Sequence, residues 1–367
     1  MFLAEPRKNP THGAGELDSS LMLKETPAPS KPISMKTPHI RFAIALLLLT
    51  LALAKPTFAV TFSIEKTSAG GAIVKLDGEF LTELIVDQAN KIYLWPVIGT
   101  SGVTMTRAYP MQVVAGEQRD HPHHRGICFG HENLAGFDTW AERATFGDNP
   151  NKANRVKHLG AIKLREITTL KGGDTAVIVT LSDYVDAEGK KTSEDQRTFT
   201  FSVKGASRVI DVDIDLIASE GDILVDDKKD AGLSIRVPTE MAVDRGNEGG
   251  KGTGKIVNSY GAIDQAAWGK RATWVDYHGT VGGKAVGVAM LNHPRSFRHP
   301  TPWHVRTYGL FTANPFGLSE LKLQNETAAL TLKKGEKITL RHRFIFHDGD
   351  EKVGKIAEAY EEYAQKP

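Results

Sequence analysis

Apolar and polar residues alternate with a period of two along most of the chain after residue 60. Four segments show this clearly, 176–185, 197–205, 208–218 and 337–349, and Gly, Asp, Asn or Lys-Gly turns bound them. Such alternation is typical of antiparallel strands with one face in a core and the other in water. The chain lacks the alternation of strands and helices that a parallel nucleotide-binding sheet requires.

Within 208–218 the pattern assigns the side chains to two faces. Ile210, Val212, Ile214 and Leu216 share one face, and Asp211, Asp213 and Asp215 share the other. A strand sends successive side chains to opposite faces, so the apolar set would face the core and the carboxylates would face solvent. The sequence therefore predicts an all-β fold, mainly an antiparallel β-sandwich or supersandwich.

One amphipathic helix is predicted at the C-terminal end, over residues 350–365. Its apolar stripe consists of Val353, Ile356, Ala357, Tyr360 and Ala364, which recur at helical spacing. Acidic residues lie near its start, where the positive end of the helix dipole favours them. We expect this helix to cover an edge or a face of a sheet.

An apolar run over residues 42–54 follows Lys36 and Arg41. It is too short to span a bilayer, and it ends in small residues, so it predicts a signal peptide over 35–59. We expect translation to begin at Met35, which makes residues 1–34 a non-native or disordered extension. The mature chain, 60–367, would be one large β-sandwich domain without a transmembrane anchor, exported to the periplasm or beyond.

Charge and cysteine content narrow the class of protein further. The 46 basic and 44 acidic residues nearly balance, so neither nucleic acid nor a membrane surface is indicated as a partner. The single cysteine, Cys128, cannot form an internal disulfide, so stability must come from an extensive core. The sequence leaves the oligomeric state open.

The segment 120–140 reads DHPHHRGICFGHENLAGFDTW and contains four histidines. In one interpretation His121, His123 and His131 bind zinc, copper or iron, because histidine is the commonest metal ligand. The spacing matches none of the specific zinc signatures. In a second interpretation the histidines transfer protons, and in a third they shape the loop through hydrogen bonds to the backbone.

Sorting other strands by face gives further polar sets. In 302–311, His304, Arg306 and Tyr308 fall on one face and Trp303 on the other. An unpaired buried guanidinium is very costly, so the first face should look onto water, a cleft or a partner. Arg236 falls opposite an apolar face in 232–241, with Glu240 just beyond it. Asp276 shares a face with Trp274 and His278. A substrate in such a cleft would be bound by Arg125, Arg236, Arg306, Tyr308, Trp303 and His299.

Three long motifs carry a resemblance to a known family: RDHPHHRG with GHENLAGFDTW, WGKRATWVDYHG, and NHPRSFRHPTPWHVRTYGLFTANPFG. The chain resembles a family of exported bacterial proteins catalogued as a domain of unknown function and often labelled methane oxygenase PmoA, over roughly 60–364. The membrane-bound methane monooxygenase subunit of that name is polytopic. A chain with one cleavable apolar segment followed by strands cannot share that architecture.

The strand pattern also resembles the galactose-mutarotase type of β-supersandwich, whose members bind carbohydrate across a concave face. That resemblance implies a histidine acid, His124 or His304, and a carboxylate base, Glu240 or Asp276. We therefore expect a carbohydrate-active protein that cleaves or epimerises a sugar without a cofactor, in a cleft formed by 120–131 and 295–308. The alternatives are a metal-dependent enzyme and a carbohydrate-binding protein without catalysis.

Overall fold

Two eight-stranded antiparallel sheets and a two-stranded ribbon make up the fold. The structure, a computed structural model, describes residues 60–246, 250–323 and 326–367. The predicted signal peptide and the extension before it lie outside the described residues. The all-β prediction is confirmed.

Sheet 1 has the strand order β1-β2-β3-β4-β5-β11-β16-β15. Its strands are β1 (Phe62–Lys66), β2 (Ala72–Leu76), β3 (Glu79–Ile85), β4 (Tyr93–Val97), β5 (Ile127–His131), β11 (Ala231–Arg236), β15 (Trp303–Val305) and β16 (Leu310–Ala313). The ribbon pairs β10 (Ile223–Val225) with β17 (Leu330–Leu332).

Sheet 2 has the strand order β12-β13-β14-β18-β9-β8-β7-β6. Its strands are β6 (Ala161–Lys171), β7 (Ala176–Val185), β8 (Lys191–Lys204), β9 (Ser207–Ile217), β12 (Lys255–Asn258), β13 (Trp274–Val281), β14 (Lys284–Asn292) and β18 (Lys337–Asp348). The four segments predicted from alternation are β7, β8, β9 and β18, which are adjacent in this sheet.

The two sheets share one apolar core. Ile210 and Leu216 of β9 belong to the same buried cluster as Phe129 of β5 and Leu233 of β11. On the opposite face of β9, Asp211 forms a bidentate ion pair with Arg343 of β18, with distances of 2.6 and 2.9 Å. The alternation in 208–218 therefore separates a buried face from a paired polar face, as predicted.

The C-terminal helix is shorter than predicted. It spans Ile356–Ala364, because the Asp350 carboxylate accepts hydrogen bonds from the backbone N–H groups of Lys352 and Val353 and fixes a turn there. Val353, expected on the apolar stripe, is exposed. The helix packs Ile356 and other apolar residues on the outer face of sheet 2, as expected of a cover.

Two short helices, α1 (Arg143–Phe146) and α2 (Ala153–Lys157), were not predicted. The C-terminal helix is α3. Within the described ranges, no helix has the length and apolar content needed to cross a membrane.

The segment 302–311 is a hairpin rather than one continuous strand. β15 ends at Val305, and the Arg306 N–H donates to the Leu310 carbonyl at 2.7 Å across a turn. Gly309 has a φ of 102°, a conformation that glycine adopts at little steric cost. Arg306 and Tyr308 therefore lie on a turn at the end of sheet 1, whereas His304 lies within β15.

Candidate functional site

A row of polar side chains crosses the outer face of sheet 1. The register pairs His304 with Thr312, Thr312 with Ser234, and Ser234 with Cys128. Arg236 follows Ser234 on the same face, while the apolar residues of β11 face the core as predicted. All five of these side chains are buried, so the loops must cover this face.

Asp120 lies between two buried arginines on this face. Its Oδ1 accepts from Arg107 Nη1 at 2.5 Å and from Arg236 Nη2 at 2.8 Å. Burial alone would raise the pKa of Asp120, but the hydrogen bond from His121 and the charges of Arg236 and Arg107 hold it well below its usual range. Asp120 is therefore a fixed anion at neutral pH.

His121 forms a dyad with this carboxylate. Its Nδ1 lies 2.8 Å from Asp120 Oδ2, and 42% of its side chain is exposed. A neutral imidazole that donates from Nδ1 carries its lone pair on Nε2, and no described residue hydrogen-bonds that atom. The ring stacks in parallel between Tyr308, with centroids 5.3 Å apart, and His124, at 4.8 Å. This arrangement orients an accessible proton acceptor.

His124 and His304 have the opposite arrangement. His124 Nδ1 lies 3.1 Å from Arg236 Nη1, and Trp268 Nε1 donates to His304 Nδ1 at 3.1 Å. Since both partners can only donate, each ring is neutral and carries its proton on Nε2. Burial lowers the pKa of His304 to about 4 and, together with neighbouring positive charges, that of His124 well below its usual value. Both are hydrogen-bond donors at neutral pH.

Several buried polar atoms at this site have no hydrogen-bond partner among the described residues. They are Trp140 Nε1, Arg236 Nε, Arg306 Nε and Thr312 Oγ1. His304 Nε2 also lies 3.9 Å from Asp230 Oδ1, too far for a direct hydrogen bond. Buried polar groups in folded proteins are rarely left unpaired. The site therefore offers mainly N–H donors to oxygen atoms of a ligand or of water.

The three histidines of the metal interpretation do not converge. His123 Nδ1 lies 2.9 Å from Thr145 Oγ1 and its ring lies 5.7 Å from that of His121. His131 belongs to the core side of sheet 1, where it packs edge-on against Phe316 at 5.2 Å. Because alternate residues of a strand face opposite ways, His131 cannot join a site on the outer face of this sheet.

Arg125, Trp303 and His299 have structural partners. Arg125 forms a bidentate ion pair with Glu142, with both distances 2.8 Å. Trp303 lies in the core, where its Nε1 donates to the Ala272 carbonyl at 2.9 Å. His299 lies away from the His121 dyad, between Asn292 of β14 and Tyr360 of α3. The structure therefore does not bring Trp303 or His299 to the proposed cleft.

Glu240 lies at a separate cavity of about 450 Å³, which Trp95, Glu117 and Arg245 also line. Its Oε2 accepts from the Gly282 N–H at 2.7 Å. Among the described residues, none of those that line this cavity is a histidine, the side chain that titrates near neutral pH without a large shift. The structure therefore separates Glu240 from the histidines with which it was predicted to act.

Asp276 lies on the outer face of sheet 2. Its oxygens contact His278 Nδ1 at 2.6 Å and His347 Nε2 at 2.7 Å. Ligand atoms of Asp276, His278 and Glu351 lie within 4.8 Å of one another, close enough for a cation. Both Asp276 oxygens are already satisfied by histidine nitrogens, however, so this group is explained as a buried ion-pair network that ties β13 to β18.

Sequence reasoning missed several residues of the site. Asp120 was not predicted to be a site residue, although its position next to His121 is a local signal for a dyad. Trp140 ends the histidine-containing segment 120–140, whereas Arg107 and Trp268 reach the site from outside it, and no spacing rule could place those two there. The two segments of the predicted cleft, 120–131 and 295–308, contact each other where His121 stacks on Tyr308 of the hairpin turn. His299 of the second segment lies elsewhere.

The sequence from residue 72 to residue 361 matches the Family of unknown function (DUF6807), and the chain belongs to this family. The resemblance to a family of unknown function is thereby confirmed. The family description states no activity and does not include the methane oxygenase label. No curated protein matches the chain.

Solved structures with related backbones are remote. A protein from Synechocystis sp. PCC 6803 is 7% identical with a TM-score of 0.30, over 79% of this chain and 92% of the other. A galactose mutarotase related enzyme from Lactobacillus acidophilus is 7% identical with a TM-score of 0.30, over 78% and 97%. A 4-alpha-glucanotransferase from Thermococcus litoralis is 10% identical with a TM-score of 0.27, over 78% and 39%. At these scores the likenesses support no argument about activity.

Proposed function

We propose that this protein is a carbohydrate-active enzyme that transfers protons on a sugar, as in epimerisation or ring opening, at the outer face of sheet 1. One observation carries the proposal. The Asp120 carboxylate orients His121 through Nδ1 at 2.8 Å, and the His121 ring stacks on Tyr308 with Nε2 free of protein partners among the described residues. A carboxylate that orients a histidine is the usual arrangement of a histidine general base.

In the proposed reaction, His121 Nε2 accepts the proton of the anomeric hydroxyl while the bond between C1 and the ring oxygen breaks, and water supplies the proton that the ring oxygen takes up. Closure of the ring on the other face of C1, with both protons returned, completes the epimerisation. The Asp120 carboxylate holds the ring in the required tautomer and stabilises the imidazolium that forms. Negative charge that develops on a sugar oxygen would be stabilised by the N–H donors of His304, Arg236 and Trp140. His124 and His304 thus bind the sugar and polarise its oxygen atoms. The base is His121 rather than Glu240 or Asp276.

The lining of the site suits a sugar. Carbohydrates present many hydroxyl oxygens around an apolar ring face, and the site offers unpartnered N–H donors beside the rings of Trp140 and Trp268. Aromatic rings pack against apolar ring faces, and a few fixed polar groups then set the orientation. A small apolar ligand would leave these donors unsatisfied.

Glycoside cleavage is less well supported than proton transfer. Most glycosidases need two carboxyl groups that flank the scissile bond. Glu240 and Asp276 lie elsewhere, and Asp120 is held by two arginines and His121. A further carboxylate, Asp230, lies 3.9 Å from His304 Nε2. Of the two reactions expected from the sequence, the geometry favours epimerisation.

The proposed compartment is the periplasm or the exterior of the cell. This part of the proposal rests on the predicted signal peptide over 35–59, with its basic start and its short apolar run. An exported enzyme would meet sugars released from polymers outside the cytoplasm.

The test is a screen of free sugars by proton NMR with the mature chain and the variant His121→Gln. We expect the wild type to accelerate interconversion of at least one sugar, and His121→Gln to lower that rate roughly 100-fold or more. His158→Gln, a change at an exposed histidine, is the matched control and should keep the rate. Full activity of His121→Gln, or no turnover of any sugar, contradicts the proposal.

Two further measurements distinguish the proposed function from the metal-dependent enzyme and from the carbohydrate-binding protein without catalysis. Dialysis against EDTA should leave turnover unchanged, because His131 faces the core, away from His121, and His123 Nδ1 already contacts Thr145 Oγ1. A loss that zinc, copper or iron restores would instead support the metal-dependent alternative. Sugar binding without turnover in the wild type would identify a carbohydrate-binding protein that lacks catalysis.

A further inference from the structure

We propose that the sugar bound at this site is acidic and that Arg306 binds its carboxylate. This inference rests on the proposed function and names the substrate class of the same site. The sequence predicts that three arginines, Arg125, Arg236 and Arg306, bind substrate. The structure shows that their side chains have different partners.

Two of these arginines already have carboxylate partners. Arg125 is bidentate with Glu142, and Arg236 donates to Asp120 at 2.8 Å. Arg306 forms no ion pair and no side-chain hydrogen bond with any described residue, and its Nε is buried. A half-buried guanidinium loses hydration without replacement, so it favours an anionic partner from outside the chain.

The position of Arg306 suits a ligand that also contacts His121. Its Cζ lies 5.4 Å from the centre of the Tyr308 ring, and the His121 ring stacks on the same ring at 5.3 Å. The guanidinium and the dyad therefore contact the same aromatic ring. A pyranose is of comparable size, so a sugar with one edge at His121 can place a substituent at Arg306.

A second cation lies nearby. The Lys322 Nζ lies 6.0 Å from the centre of the Trp268 ring, and the Arg306 Cζ lies 5.9 Å from the same centre. Lys322 is exposed and forms no ion pair with the part of the chain that the structure describes. The carboxylate of Asp230 is near but is shared with Lys229 at 3.1 Å. The net charge of these neighbouring side chains is positive, and a positive charge attracts an anion.

A carboxylate fits this site better than a hydroxyl does. The guanidinium group is planar and presents a rigid fork of donors that matches the two oxygens of a carboxylate. Uronic acids carry such a group on the pyranose ring. The predicted class is therefore a uronic acid, free or at the end of an acidic glycan.

The test measures binding by calorimetry for D-galacturonate and D-glucuronate, their methyl esters, and the neutral parents galactose and glucose. The ester keeps the shape and removes the charge. We expect the wild type to bind one acid at least about 10-fold more tightly than its ester, in line with a charge-assisted hydrogen bond. Arg306→Gln should reduce that ratio to about 2-fold or less, whereas ester binding should stay within about 2-fold of the wild type.

Arg295→Gln is the matched control, because it removes the same charge from an exposed arginine beside sheet 2. It should keep the acid preference. The acid-to-ester ratio of the wild type does not depend on any variant, so a poorly folded Arg306→Gln would leave the test intact. Lys322→Gln, at an exposed position, should lower the preference by a smaller factor.

The outcomes separate this inference from the proposed function. Equal or tighter binding of the ester or the neutral sugar overturns the assignment of Arg306 but leaves a sugar site. An acid preference that Arg306→Gln does not change also overturns it. If none of the six sugars binds or reacts, both the proposed function and this inference fail.

Discussion

At the scale of the residue, each histidine of the site depends on the group that contacts its Nδ1 atom. Asp120 accepts from His121 and leaves Nε2 of that ring as an acceptor, whereas Arg236 and Trp268 donate to His124 and His304 and leave Nε2 as a donor. The sequence located these histidines but could not distinguish them. Only the identity of the partner, which comes from distant strands and loops, assigns their roles.

Asp120 should contribute strongly to stability, because Arg107 and Arg236 are buried against it. We expect Asp120→Asn to destabilise the fold by about 3–5 kcal/mol at pH 7, since it leaves two buried charges uncompensated. The pKa of Asp120 is lowered in the folded state, so this stability is present above the unfolded pKa and is lost as pH falls through the folded pKa. Urea titrations of both proteins at pH 7 and at lower pH would measure it.

Asp213→Asn is the control for that experiment. Asp213 pairs with Arg341 at 3.6 Å on a partly exposed face, and such pairs contribute less than about 1 kcal/mol. A similarly small loss of stability for Asp120→Asn would show that Arg107 and Arg236 do not depend on Asp120 for compensation of their charge.

The contribution of His347 to stability depends on pH with the opposite sign to that of Asp120. Burial lowers its pKa, but the hydrogen bond and the charge of Asp276 outweigh burial and raise it. Its contribution is therefore fully present below the unfolded pKa and is lost as pH rises through the higher folded pKa. We expect the melting temperature of the wild type to fall relative to that of His347→Gln as pH rises over that interval, because buried histidines of lowered pKa, such as His304, affect both proteins alike. A difference in melting temperature that stays constant over that interval would refute this assignment.

At the scale of the element, alternation predicted the long strands well and the short ones poorly. β7 and β9 each have one face in the core and one face towards solvent over ten residues or more, so their sequences show alternation with a period of two. β15 has three residues and β16 has four, too few to distinguish a hairpin from a single strand. The turn that places Arg306 and Tyr308 depends on Gly309, and its geometry was not visible in the pattern.

Gly287 lies in the central strand β14, between His278 of β13 and His347 of β18. A Cβ atom there would lie 2.3 Å from His347 Cε1 and 2.5 Å from its Nε2, and the ring is held by Asp276. We expect Gly287→Ala to lower stability by about 1–3 kcal/mol through overpacking. Denaturant unfolding would measure the loss.

Gly221→Ala is the matched substitution, because nothing lies within 4 Å of its Cβ position. It should change stability by less than about 0.5 kcal/mol. Equal stability of the two variants would show that the His347 ring can move aside and that β14 tolerates a side chain at this point.

At the scale of the whole molecule, the two sheets have different outer faces. The outer face of sheet 2 carries α3 and paired charges, whereas that of sheet 1 carries the dyad and the unpartnered donors. The sequence predicted two faces for each strand but not which sheet would hold the site. That assignment depends on loops of low regularity, such as 107–125, whose course follows from tertiary contacts.

The predicted export signal gives a test on the native protein. If translation begins at Met35 and the peptide is removed after Ala59, the mature protein begins at Val60. Intact mass and N-terminal sequencing of protein secreted by the native cell would measure this. A product that retains residues before Met35 would contradict the predicted start, and retention of 35–59 would contradict export by cleavage.

The central claim is that a sugar binds at the outer face of sheet 1, between His121, Tyr308 and Arg306. The most direct measurement is a crystal structure of the mature chain with the tightest-binding acidic sugar. We expect a sugar ring beside Tyr308, a hydroxyl or C–H within reach of His121 Nε2, and a carboxylate on Arg306. Sugar density in the cavity beside Trp95 and Glu240, or against Asp276 on sheet 2, would contradict it.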